Sequence, residues 1–126
     1  MATWQEMSID CRDAAKDLLA ANRYRSSISR SYYAAYCAVT GALEGVVDFA
    51  HAGNNPAHEV LANLILNNLY DTPERTRRDL RQAVSRLWKV RVEADYIPSA
   101  YIDRSIAVNA FRDANRVLLA LEVEGD

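Results

Sequence analysis

Several familiar signals are missing from this chain, and each absence narrows what it can be. No uninterrupted apolar segment approaches the ~18 residues a membrane span needs. The opening M-A-T-W-Q-E-M lacks the basic stretch and apolar run of an export signal. Neither membrane insertion nor export is expected. No alternating β-branched run occurs, and no Asn-Gly or Asp-Gly pair marks a hairpin, so strands are not expected. The two cysteines, Cys11 and Cys37, stand among alanines inside helical patterns. There a free thiol behaves as a small hydrophobe, and a disulfide is the lesser reading; a cytoplasmic location fits. A Gly-rich phosphate loop, a G-x-S-x-G elbow, paired cysteines at zinc spacing and H-E-x-x-H are all absent, which removes the usual support for most enzyme classes. His51 and His58 are the only histidines. They are too widely spaced and too poor in neighbouring ligands for a zinc site, so no metal and no cofactor is expected. The net charge of -2 gives no global pull toward a polyanion, and any such binding must come from a local patch.

What is present is helical periodicity. Thr3 with Glu6 makes a capping box, and Trp4, Met7, Cys11, Ala14, Ala15, Leu18 and Leu19 recur at helical spacing, predicting a helix from about Trp4 to Ala21. After the short link Asn22-Arg23-Tyr24, Ser26 or Ser27 is the expected cap of a second helix with the core stripe Ile28, Tyr32, Ala35, Val39 and Leu43. So short a link implies an antiparallel hairpin. The small residues Ala34, Cys37, Ala38 and Gly41 permit a close crossing. A loop from Gly45 ends at Asn55-Pro56, a cap followed by a first-turn proline, and Val60, Leu61, Leu64, Ile65 and Leu69 predict a third helix. Thr72-Pro73 repeats the start signal for a fourth, which Pro98 stops near Tyr96 or Ile97. A last helix from about Asp103 to Glu122 carries Ile106, Ala110, Ala114, Val117, Leu118 and Leu121 on one face. The expectation is an all-α, up-and-down bundle of four long helices plus a shorter one, with residues 1–126 as one domain.

Charge is distributed unevenly over these helices. From Arg75 to Arg91 stand Arg75, Arg77, Arg78, Arg81, Arg86, Lys89 and Arg91 against the single acid Asp79. Such a run is most often a solvated face with local pairs to residues such as Glu74. Arg91 differs, because it falls on the apolar stripe of Leu80, Ala83, Val84 and Leu87. A guanidinium cannot neutralise itself on burial and must find a carboxylate, a phosphate or a wet groove. Asp95, one turn on, offers a structural ion pair, the ordinary reading. The functional reading has Arg91 binding phosphate through its fork while Asp95 fixes its direction. Arg30 is a candidate second cation for the same groove. Tyr32, Tyr33 and Tyr36 could supply hydroxyls or stacking surfaces, although a tyrosine stripe is more often core. His58 could reach the groove as a proton donor.

The motifs S-R-S-Y-Y-A-A-Y (Ser29 to Tyr36), His58 before the third helix, and R-V-E-A-D-Y (Arg91 to Tyr96) ahead of a long last helix resemble the HEPN superfamily. These are small helical domains of prokaryotic toxin-antitoxin and defence systems, often encoded beside a minimal nucleotidyltransferase. The resemblance implies a bundle that dimerises about the motif-bearing helices. Active HEPN ribonucleases use R-x4-6-H, with Arg and His from two protomers forming a metal-independent site. Arg91 matches that Arg, but the window from Asp95 to Pro98 contains no histidine. An ordinary carboxylate and an ordinary phenol titrate far to either side of neutral pH, so the obvious acid-base group is missing from the motif. In nucleotidyltransferase-paired systems a tyrosine near the motif can be adenylylated; Tyr96 stands at a different spacing.

Two functions follow. One is a dimeric module that presents Arg30, Tyr33, His58 and Arg91 to RNA, a nucleotide or a partner nucleotidyltransferase antitoxin. The other is a ribonuclease toxin using the same groove, with Arg91, Asp95 and Tyr96 as catalytic candidates and His58 or Tyr96 replacing the missing histidine. A third account treats every charged pair as packing in a purely structural helical dimer.

Overall fold

A computed structural model describes residues 2–44, 46, 58, 61–69 and 71–123. Five helices follow in order: α1 (Trp4–Ala20), α2 (Tyr24–Leu43), α3 (Leu61–Asn68), α4 (Glu74–Tyr96) and α5 (Arg104–Ala120). No strand occurs among the described residues. The all-α expectation of four long helices and a short one is met. The first-turn cap read at Asn55-Pro56 lies outside the described residues, as does most of the loop before it. No helix among the described residues is long and apolar enough to cross a membrane.

Local chemistry explains the helix ends. The Thr3 hydroxyl accepts from the Glu6 amide while the Glu6 carboxylate accepts from the Thr3 amide, which closes the capping box. Helix α1 ends in a left-handed residue, Asn22 (φ 61°), with Arg23 N–H donating to Leu18 and Asn22 N–H to Leu19. Asn tolerates that conformation because its short polar side chain can bond locally. Helix α5 ends the same way at Glu122 (φ 57°), two residues after its last helical turn, where no side chain relieves the strain as readily. At its start, Asp103 accepts from the Ile106 amide.

The start of α2 corrects the sequence reading. The helix begins at Tyr24 without a side-chain cap, and neither Ser26 nor Ser27 caps it. Ser27 is fully buried, and its hydroxyl donates to the Ala15 carbonyl at 2.8 Å. Ser8 donates across the same seam to the Ala34 carbonyl at 2.7 Å. These two bonds pin the antiparallel register of α1 against α2. Gly41 lets them close up: a Cβ there would lie 3.0 Å from Trp4 Cβ and 3.2 Å from Gln5 Nε2.

Helix α2 is central and packs against all four others. Its inward residues Ile28, Tyr32, Ala35, Val39 and Leu43 are completely buried and meet Leu61 and Ile65 of α3, Leu87 of α4, and Ala114 and Val117 of α5 in one core. The loop between α4 and α5 holds the far end of the bundle. There Arg25, in the first turn of α2, donates to the carbonyls of Glu93, Ala94, Ile97, Pro98 and Ala100 at 2.8–3.3 Å. A helix leaves its last carbonyls without intrahelical donors, and one guanidinium binds two of those of α4 and three of the loop beyond.

Candidate functional site

Arg91 sits where the stripe placed it, on the buried face of α4 with Leu80, Ala83, Val84, Leu87 and Ala94. It is 8% exposed. Its Nε donates to Asp95 Oδ2 at 2.9 Å, and its Nη2 to the hydroxyls of Tyr33 at 2.9 Å and Tyr96 at 3.3 Å. Asp95 also accepts from the Ser29 hydroxyl at 3.1 Å. The other terminal nitrogen, Nη1, has no hydrogen-bond partner among the described residues and is not one of the sealed polar atoms.

Aromatic rings surround the guanidinium. Its central carbon lies 5.1 Å from the ring centre of Tyr96, 5.3 Å from Tyr33, 5.5 Å from Trp88 and 5.8 Å from Tyr32. A cation over a ring face is stabilised by about 0.5–2 kcal/mol according to its desolvation, and several rings hold a charge the core would otherwise exclude. The spacing that builds this nest is helical. Ser29 and Tyr33 lie on one side of α2 at i,i+4, Tyr32 and Tyr36 on the adjoining strip, and Trp88, Arg91 and Asp95 stack on successive turns of α4.

His58 enters the same nest from the segment before α3. Its ring lies parallel to Trp88 (9°, 5.3 Å between centres) and packs on Tyr36 at 4.8 Å, while Nδ1 shares a hydrogen bond with the Tyr32 hydroxyl. Tyr33 joins the two candidates, with its ring 5.9 Å from that of His58 and its hydroxyl on Arg91. Burial pushes the Tyr36 phenol above its ordinary range, so it stays protonated at neutral pH.

The structure therefore gathers Arg91, Asp95, Tyr96, Tyr33 and His58 and leaves Arg30 out. Arg30 is exposed, and among the described residues no hydrogen bond, ion pair or ring contact joins it to the nest. One helical step separates it from Ser29, which points at Asp95; a step of about 100° moves a side chain to another face. Trp88, Ser29 and Arg25 were not singled out in the sequence. The signal available for Trp88 was its position one turn before Arg91. Nothing local marks Arg25, whose partners come from the other end of the chain.

Outside the nest, the basic run covers the solvent side of α4. Arg75, Arg78, Arg81, Arg86 and Lys89 are exposed, and Arg78 pairs with Glu74 at 2.7 Å as expected of a solvated face. On neighbouring α5, Arg112 and Arg116 are exposed too. Between the two helices the largely buried Asp113 receives a two-pronged bond from Arg86 (3.0 and 2.9 Å) and a third from Arg116 (3.2 Å). One carboxylate thus faces two guanidiniums, and the surface stays basic. Among the described residues no cluster of three or more His, Cys, Asp or Glu is placed to hold a metal ion.

The family model for the HEPN domain matches residues 1–124, and the chain belongs to this family. No curated protein matches the chain significantly.

Proposed function

We propose that this protein is a nucleic-acid-associated HEPN module that binds RNA, or a nucleotide, through phosphate contacts centred on Arg91. The observation that carries this reading is the Nη1 of Arg91, without a hydrogen-bond partner among the described residues, inside a nest of four aromatic rings. An ion pair with Asp95 alone would satisfy the charge without assembling Tyr33, Tyr96 and Trp88 around it. A phosphate oxygen meets the free guanidinium nitrogen and the Tyr96 hydroxyl together, and the exposed phenol of Tyr96 offers a base a stacking face. The basic outer faces of α4 and α5 supply a sequence-independent route for the remaining backbone phosphates. In this reading the module works as a homodimer in a toxin-antitoxin or defence setting. The exposed Tyr96, Ile97 and Tyr101 at the end of α4 and in the loop after it offer apolar surface to a second copy, with a minimal nucleotidyltransferase as cognate partner.

His58 favours a second reading, metal-independent RNA cleavage in the same site. Imidazole is the side chain whose ordinary pKa lies near neutral pH, and R-V-E-A-D-Y lacks one. His58 supplies it from another part of the chain. There it takes the proton of a ribose 2′-hydroxyl, the freed oxygen attacks the adjacent phosphorus and the bond to the 5′-oxygen breaks. Arg91 stabilises the charge gathered on the phosphoryl oxygens, and the Tyr96 hydroxyl protonates the departing oxygen.

The test is RNA binding and cleavage by wild type, Arg91→Ala, His58→Ala and Tyr96→Phe, with fold checked for each. Binding lost in Arg91→Ala, with no cleavage by any form, supports the first reading. Cleavage abolished by both Arg91→Ala and His58→Ala supports the second. A folded Arg91→Ala protein that binds RNA as wild type does overturns both.

A further inference from the structure

Two of the Arg–Asp pairs in this molecule are finished differently. Arg86 donates from Nε to Asp113 Oδ2 at 3.0 Å and from Nη2 to Oδ1 at 2.9 Å, and Arg116 adds a donor to Oδ1 at 3.2 Å. Both carboxylate oxygens are taken, which is the closed fork of a structural ion pair. The Arg91–Asp95 pair stays half open. Asp95 Oδ2 accepts twice, from Arg91 Nε at 2.9 Å and from the Ser29 hydroxyl at 3.1 Å, while Oδ1 accepts no hydrogen bond among the described residues. The Nη2 that would close the fork donates instead to the Tyr33 hydroxyl at 2.9 Å and to that of Tyr96 at 3.3 Å. Ser29 and Tyr33 stand one turn apart on α2 and hold the pair in this state together. The first loads Oδ2, and the second draws Nη2 away from Oδ1.

One donor and one acceptor are thus left over on a single ion pair. Arg91 Nη1 has no partner among the described residues, and Asp95 Oδ1 belongs to a side chain that is a quarter exposed, within reach of a ligand. An ionised carboxylate accepts hydrogen bonds and donates none. A bare phosphate therefore fits Arg91 but repels Asp95, and a ligand suited to both carries a hydrogen-bond donor close to its phosphate. In an RNA strand the nearest such donor is the ribose 2′-hydroxyl, on the carbon next to the one that bears the 3′-phosphate. The amino groups lie across the base. A guanine edge, which pairs two donors with two carboxylate oxygens, finds Oδ2 already occupied twice. A deoxyribose presents only C–H bonds at this point, so Oδ1 gives up water and gains no donor.

We propose that Asp95 Oδ1 accepts the hydrogen bond of a ribose 2′-hydroxyl while Arg91 holds the adjoining 3′-phosphate, which makes Asp95 the residue that selects ribose over deoxyribose. The 2′-hydroxyl is the group by which a protein tells RNA from DNA at a given position. Ser29 is a positioning residue here: by occupying Oδ2 beside Arg91 Nε it leaves Oδ1 as the oxygen the ligand meets. The inference rests on Arg91 as the phosphate-binding centre. A hydroxyl has one proton, and one that donates to Asp95 is held for recognition rather than deprotonated for cleavage.

The experiment is equilibrium binding of three single strands with the same base order, RNA, DNA and 2′-fluoro RNA, at one fixed salt concentration. The fluoro strand keeps the sugar pucker of RNA but lacks the donor, so it separates the hydrogen bond from strand shape without any change to the protein. Wild type is expected to bind RNA about 10–100-fold more tightly than either of the others, the scale of one hydrogen bond to a charged group. Asp95→Asn keeps the shape of the side chain and, with its oxygen retained by Arg91 and Ser29, turns an amide donor to the open side; the three affinities are expected to converge. Ser29→Ala is expected to reduce the preference for RNA, and Ser29→Thr, which restores a hydroxyl, to recover it. Displacement of the RNA by adenosine 3′-monophosphate, and not by its 2′-deoxy form, assigns the same contact to a free nucleotide. Wild-type protein that loses RNA affinity in Arg91→Ala, yet takes the fluoro strand or DNA as tightly as RNA, overturns the role of Asp95 and leaves the phosphate centre standing. RNA binding that is absent, or unchanged in folded Arg91→Ala, overturns both.

Discussion

The ring of His58 lies flat against the indole of Trp88, 5.3 Å between centres, and the same indole stands 5.5 Å from the guanidinium of Arg91. One side chain thus locates the imidazole that the R-V-E-A-D-Y motif lacks beside the arginine that the motif provides. Trp88→Leu keeps bulk on α4 but removes the shared platform. It is expected to weaken RNA binding about tenfold, on the basis of a cation–ring contact of about 0.5–2 kcal/mol and the lost stacking of His58. Equilibrium binding with fluorescent single-stranded RNA measures this, and an unchanged affinity would remove the indole from the site.

Arg25 holds the end of α4 through five carbonyls. Arg25→Met retains much of the stem and deletes the donors. With hydrogen bonds to charged groups contributing about 1.5–3 kcal/mol each but sharing one group here, the expected loss is about 2–4 kcal/mol in chemical denaturation. Hydrogen exchange should quicken first at residues 94–101, before the rest of the bundle.

Gly41 looks like a site for routine helix stabilisation, since Gly in a helix interior costs about 1 kcal/mol relative to Ala. The 3.0 Å approach of a Cβ to Trp4 removes that gain. Gly41→Val, with two further carbons against α1, is expected to lower stability by about 1–3 kcal/mol, the usual scale for overpacking. A melting temperature equal to or above that of wild type would show that the crossing is looser than this.

Asp113 binds two arginines, so losing one does not strand it. Arg86→Gln is expected to cost only about 0.5–1.5 kcal/mol, because Arg86 is 54% exposed and Arg116 remains at 3.2 Å. Its larger effect falls on RNA binding, where the slope of log affinity against log salt should fall in magnitude by about 0.7–0.9 for a phosphate contact removed.

The bundle was legible because helices announce themselves locally. The Thr3–Glu6 capping box, the stop at Pro98 and the i,i+4 stripes each depend on residues within one or two turns. The α2 start was misread for the opposite reason: Ser27 has the chemistry of a cap, but its hydroxyl is drawn to Ala15 on the neighbouring helix. Arg91 and Asp95 were visible as a charge breaking an apolar stripe. Trp88 carries no such mark, and Arg25 acts on carbonyls, which any residue provides. Arg30 neighbours Ser29 in sequence, but a helical step of about 100° sets it on another face from the side chain that reaches Asp95. His58 depends on packing against rings of α2 and α4 far from it in sequence, which no local pattern encodes.

The most direct test of the account is the salt-dependent affinity of Arg91→Lys and Arg91→Ala for single-stranded RNA, alongside wild type and with each protein shown to be folded. If Arg91 is the phosphate-binding centre, Arg91→Ala loses affinity about 10–100-fold with a salt slope smaller by about one contact, and Arg91→Lys recovers only part of it, since a point charge replaces a planar fork. Equal affinity and equal slope in all three would show that Arg91 only closes the core with Asp95.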